Sequence, residues 1–135
     1  MKSKLALLAL SMIVAFTFSV LAQEKPQEAA APKIVTPEVE HYFGAIKTGT
    51  PLTYTFVVKN TGKADLEIKS VTPGCGCTTS DYDKVVAPGK EGKITMEIKH
   101  TEGYKGDVMK NATVTTNDPE RQSFQLVLRA NFVSE

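Results

Sequence analysis

From Ile34 onward, apolar side chains return at every second position. That is the period of a half-buried strand, not of a helix. Leu52, Tyr54, Phe56 and Val58 alternate with Thr53, Thr55, Val57 and Lys59. Leu66 and Ile68 oppose Asp65, Glu67 and Lys69. Val71 then falls out of phase, which predicts a bulge or twist just before Pro73-Gly74. Ile94, Met96 and Ile98 share a face, as do Ala112 and Val114 in a strand over 108–116. Phe124, Leu126, Leu128, Ala130 and Phe132 give the cleanest run of inward positions.

The flanking segments are shorter. Pro37 interrupts Ile34–Glu40, which predicts an edge strand, and His41–Ile46 reads as a second short strand. Thr78–Lys84 is polar and reads largely as loop, leading into Val85-Val86. Turn residues punctuate the chain at 47–51, Asn60–Lys63, Pro88-Gly89, 101–106 and Asn117–Glu120. The expectation is an all-β fold, an immunoglobulin-like antiparallel β-sandwich of seven to eight strands over 34–135. A small closed barrel is the alternative.

Ahead of the alternation the pattern changes. Lys2 and Lys4 precede an apolar stretch from Leu5 to Leu21, and Val20-Leu21-Ala22 suits a signal peptidase. Residues 1–22 are therefore expected to be a cleaved signal peptide, with an uncleaved anchor as the alternative. Both cysteines lie far from this point, which argues against a lipoprotein. Residues 23–33, rich in Pro, Ala and mixed charge, read as a disordered linker. The mature chain is expected in the periplasm or secreted, with no membrane span once the signal is removed.

Charge adds an exclusion. Removing Lys2 and Lys4 with the signal leaves 14 basic residues against 15 acidic. So even a balance provides no electrostatic footprint for nucleic acid or an anionic membrane.

Several segments together resemble one family: Phe43–Gly49, Thr55–Gly62, Leu66–Val71 running into Cys75-Gly76-Cys77-Thr78, Pro88-Gly89, and Thr115–Asp118. They resemble an uncharacterised family of exported bacterial immunoglobulin-like domains, a domain of unknown function. That family is similar to Hydin-type and major-sperm-protein-like sandwiches. The resemblance spans roughly residues 38–133 and implies the fold and export. It implies little about activity, although related sandwiches are mostly binding or scaffolding modules.

The one chemically pointed feature is Cys75-Gly76-Cys77, and four readings stay open. An oxidising compartment favours a Cys75–Cys77 disulfide. Extended residues at i and i+2 lie about 6.5–7 Å apart, at the upper limit for a bridge, so Gly74 and Gly76 would have to let the chain curl. Two thiolates could instead hold copper(I), completed by Met96, Met109, His41 or His100. A catalytic or redox thiol would need a base, and His100 is the candidate. Or the thiols simply fill one end of the sandwich.

The remaining candidates are weaker. His41 and His100 read as surface residues at strand ends, and Met96 as core. Tyr82 and Tyr104 are expected in loops. Asp81 and Asp83 flank Tyr82, but are too few ligands for calcium. Asn111-Ala112-Thr113 is a glycosylation sequon only in a glycosylating host.

No nucleophile–base pair stands out, so the chain is expected to be no enzyme and to need no cofactor. The expected role is a monomeric binding or scaffolding module of the bacterial envelope, recognising a protein or an envelope component. The alternative is a copper-binding or thiol-redox protein acting through Cys75 and Cys77. The expected binding loop is Thr72–Tyr82, with Pro73, Gly74, Gly76, Thr78, Asp81 and Tyr82 as its contact residues.

Overall fold

The computed structural model describes residues 30–76 and 78–134. The expected signal peptide and most of the expected linker lie outside the described residues. Among the described residues nine strands follow one another: β1 (Ile34–Val35), β2 (Glu40–Lys47), β3 (Leu52–Asn60), β4 (Leu66–Pro73), β5 (Thr78–Tyr82), β6 (Val85–Val86), β7 (Glu91–Ile98), β8 (Gly106–Thr116) and β9 (Ser123–Val133). They form two sheets, in the orders β1-β3-β7-β5 and β2-β9-β8-β4-β6. Alternation on each strand leaves one apolar face per sheet, and the two faces cover each other. This is the expected immunoglobulin-like sandwich.

The core is what the alternation implied. Phe56, Val58, Leu66, Ile68, Ile94, Met96, Ile98, Leu126 and Leu128 are all buried. The expected bulge in β4 falls between Ile68 and Ser70, and it returns Val71 to the core face. Pro37 does more than mark an edge. The segment expected as one interrupted strand is split: β1 pairs antiparallel with β3, whereas β2 pairs parallel with β9 in the other sheet. Residues 36–39 carry the chain across. Gly44, at φ +80°, sits in the β2 register shift, where an L side chain would strain the backbone.

Two boundaries differ from the sequence reading. Thr78–Tyr82 is a strand paired with β7, with Tyr82 opposite Ile94, rather than loop. Its polar side chains hid it, because Ser80 Oγ bonds the Val71 carbonyl instead of facing solvent. Residues 31–33, assigned to the disordered linker, are docked: Lys63 N–H donates to the Ala31 carbonyl and Thr61 N–H to that of Lys33. Among the described residues, no helix is long and apolar enough to cross a membrane.

Candidate functional site

Strand direction divides the loops between two ends of the sandwich. The β3–β4, β6–β7 and β8–β9 turns lie at the end where residues 31–33 enter. The β2–β3, β4–β5 and β7–β8 connections lie at the other end, so the Cys75 loop is opposite the chain entry.

At the entry end, the turn residues of the family resemblance act on the fold itself. Asn60 is fully buried. Its Nδ2 donates to the carbonyls of Ala64 and Val86, and its Oδ1 accepts from Lys33 and Gly62 N–H. Gly62 gives residues 31–33 their path, since a Cβ there would stand 2.2 Å from the Ala31 carbonyl oxygen. Asn117 binds both sides of Glu67 and Asp65, its Oδ1 accepting from Glu67 N–H at 2.7 Å and its Nδ2 donating to the Asp65 carbonyl. Asp118 is buried, yet its carboxylate accepts from Ile34, Glu120 and Arg121 N–H. A buried carboxylate tolerates dehydration only with such donors. Gly89, at φ +74°, completes a turn in which Lys90 N–H donates to the Ala87 carbonyl, and its own N–H reaches the Asn60 carbonyl. A cavity of about 360 Å³ lies here, between Ala31–Lys33, Thr61–Lys63 and Asp118–Glu120.

At the opposite end, Pro73 closes β4 against Ala112 of β8. Gly74 N–H donates to the Asn111 carbonyl, and a Cβ on Gly74 would stand 2.2 Å from Asn111 Oδ1. Asn111 of the sequon is thus part of the loop's seat. Thr78 N–H returns to the Cys75 carbonyl at 3.3 Å. Cys75 is half-buried and disulfide-bonded, with its Sγ 3.7 Å from Thr78 Oγ1. Cys77 lies outside the described residues. Gly76 is exposed, and a Cβ there would meet nothing within 4 Å.

The other expected contact residues are only partly together. Thr78 is buried, and Tyr82 packs against the core from the far end of β5. Tyr82 is therefore a strand residue, not the loop residue expected. Asp81 is exposed, with Oδ1 on Tyr82 N–H, and Asp83 Oδ2 accepts from Lys93 N–H. Pro73, Gly74, Cys75 and Gly76 thus remain as the compact loop, with Thr78 as its floor.

His100 leaves β7 two residues after Ile98, which pairs with Thr78, so it belongs to the Cys75 end. Met96 is fully buried in the core, and Met109 is 62% exposed on the outer face of its sheet. Among the described residues, no three His, Cys, Asp or Glu side chains gather as a metal site. Tyr104, in the β7–β8 loop as expected, lays its ring against Phe132 and under the Lys110 ammonium.

One cluster had little signal in the sequence. Glu38 accepts from the Tyr54 hydroxyl at 2.5 Å and lies 3.1 Å from His41 Nδ1, while the His41 ring stacks on Tyr54 at 3.6 Å. The Tyr54 hydrogen bond, then that of His41, holds the Glu38 carboxyl below its ordinary range. The same bond pushes the Tyr54 hydroxyl above its own. Glu38 three residues before His41 is visible in the sequence; Tyr54, on another sheet, is not.

The comparisons bear on the fold. Residues 34–132 match a family described as protein of unknown function (DUF1573). No curated protein matches. Among solved structures, a protein of unknown function from Porphyromonas gingivalis W83 superposes with a TM-score of 0.66 at 18% identity, over 76% of this chain and 48% of that one. The chain thus spans about half the length of that relative. The ASH / PapD-like domain 7 of human CEP192 gives 0.58 at 11% identity, over 78% and 88% of the two chains. The periplasmic chaperone SfaE gives 0.50 at 10% identity, over 75% and 60%. At these identities the likeness is one of fold.

Proposed function

Since the chain belongs to the family of proteins of unknown function DUF1573, we propose that it is an exported, non-enzymatic binding or scaffolding module of the bacterial envelope. Its partner is a protein or an envelope component. Its contact surface is the loop Pro73–Gly76 with the segment that follows to Thr78. Cys75-Gly76-Cys77 acts in this reading as a covalent staple that shapes the loop, with neither copper nor any other cofactor.

One observation carries the reading. Asn60, Gly62, Asn117 and Asp118 direct their hydrogen bonds or their bare Cα into the fold at the entry end. Pro73–Gly76, at the other end, places two glycines around a disulfide-bonded cysteine and contributes no side chain to the core. Gly74 seats the loop on β8, its N–H on the Asn111 carbonyl and its bare Cα beside Asn111 Oδ1. A loop tied down by its disulfide and by the Gly74–Asn111 hydrogen bond, on a sandwich scaffold, is suited to recognition. The basic leader and the Val20-Leu21-Ala22 site support export, and likeness to a periplasmic chaperone fold accords with it.

The test is affinity capture from envelope extracts with the mature chain, alongside broad hydrolase and thiol-redox assays. The reading expects a saturable partner and no turnover. A reproducible turnover abolished by one point substitution would overturn it.

A further inference from the structure

β3 pairs with β7 from Leu52 to Lys59, but on its other side β1 meets only Lys59 and Asn60. The direction of its backbone groups can be read from the bonds at that end. Asn60 N–H donates to the Lys90 carbonyl, and the Asn60 carbonyl accepts from Gly89 N–H, so Asn60 faces β7. Thr61 N–H donates to the Lys33 carbonyl, on the β1 side. The register with β7 runs without a bulge, so this alternation holds along the strand. Thr53, Thr55 and Val57 therefore turn their N–H and C=O groups outward. Among the described residues, no backbone group pairs with them there.

Exposed edges are ordinarily blunted by charge, proline or a bulge. Leu52–Val58 carries none of these. The side chains of Thr53, Thr55 and Val57 are themselves exposed, on the outer face of the sheet.

Beneath the edge the surface is apolar. The Tyr54 ring stacks on His41 and meets Phe43 edge-on. His41, Phe43 and Ile46 are the inward side chains of β2, and all three are only half-buried, as is Tyr54. The two sheets differ in width: five strands stand against four, and the outermost of the four, β1, is two residues long. A half-covered inward face beside unpaired backbone groups is the condition of a sandwich that lacks a length of strand.

We propose that the outer edge of β3 takes an extended segment of a partner protein, added as a strand in line with β1. Its backbone pairs with Thr53, Thr55 and Val57, and every second side chain, apolar, covers Tyr54, Phe43 and Ile46. No charge is wanted on that inward face, because the ionisable groups beneath it, Glu38 and His41, already bond each other. The intervening side chains lie on the exposed face beside the threonines and are unrestricted. The proposal does not rest on the role of the Cys75 loop.

Amide hydrogen exchange tests the edge first. In the mature chain Thr53, Thr55 and Val57 should exchange fast, and Tyr54, Phe56 and Val58 slowly. Equal protection of both sets would mean that the edge is already covered, and overturns the proposal. Protection that rises with protein concentration would assign the edge to a second copy, and overturns it too. The occupant is then probed with a random-peptide display library. Selected peptides should carry apolar residues at alternate positions and protect those three amides. They should bind about tenfold or more weakly to Thr55→Pro, which removes one outward N–H and no bond to β7. Ile46→Lys, which puts a charge under the added strand, should weaken them likewise. Melting curves check that both variants fold; should one fail, the other carries the test. A library that yields no binder overturns the proposal. So do binders that leave the three amides unprotected, or that bind the folded variants undiminished.

Discussion

Gly62 lies so close to Ala31 that no side chain fits between them: a Cβ on Gly62 would stand 2.2 Å from the Ala31 carbonyl oxygen and 2.5 Å from Lys33 N. The obstacle is backbone, which cannot swing aside as a flexible side chain can. Gly62→Ala should therefore cost about 1–3 kcal/mol, as small-to-large changes in tight sites do. Chemical denaturation would measure it. In a chain beginning at Ile34 the penalty should shrink, because the colliding residues are gone.

Asp118 holds the same end from the other side. Its Oδ2 accepts from Ile34 N–H at 2.8 Å, and Oδ1 accepts from Glu120 and Arg121 N–H. Asp118→Asn keeps the shape but turns an NH₂ toward a donor. The expected cost is about 2–3 kcal/mol, the range of a lost hydrogen bond to a charged group. Hydrogen exchange at Ile34 should speed up more than at Leu126.

The Glu38–Tyr54 bond sets a pH window. Glu38 is lowered from an ordinary value of 4.5, so its contribution is present above that value and is lost as pH falls through its folded value. Tyr54 is raised from 10.0, so its contribution is present below that value and is lost as pH climbs through its higher folded one. The melting-temperature gap between wild type and Glu38→Gln should be widest near neutrality and close toward both extremes. A gap that does not vary with pH would show that the bond contributes nothing.

The inward phase of β9 has a direct check. Leu126 is fully buried and Gln125 beside it is exposed. Leu126→Ala should cost about 2–5 kcal/mol and Gln125→Ala little. Equal costs would mean the strand is turned the other way.

The period-two alternation carried the fold class, the inward faces of β3, β4, β7, β8 and β9 and the β4 bulge, because burial on one face leaves a local record in the sequence. β5 left none: its inward side chains are polar, Ser80 on the Val71 carbonyl and Thr78 under the loop. The split at Pro37 was half legible. A proline says that pairing stops, but not that the next strand joins the other sheet, parallel to β9. The turn residues Asn60 and Asp118 were readable as turns. Their burial was not, since their partners Lys33, Val86 and Ile34 are distant in the chain. Of the candidate site, the glycines and Cys75 are together in the loop, whereas Tyr82 went to a strand for the same non-local reason.

The central claim is that the Cys75 loop is the contact surface and not merely a pinned connection. The measurement is the affinity of the captured envelope partner for wild type and for a Cys75→Ser/Cys77→Ser variant, with melting temperature recorded on both. The account predicts that binding falls by about tenfold or more while the melting temperature changes by only a few degrees, since so short a disulfide loop restrains the unfolded chain weakly. Undiminished binding, with the whole effect appearing as lost stability of about 2–3 kcal/mol or less, would contradict it.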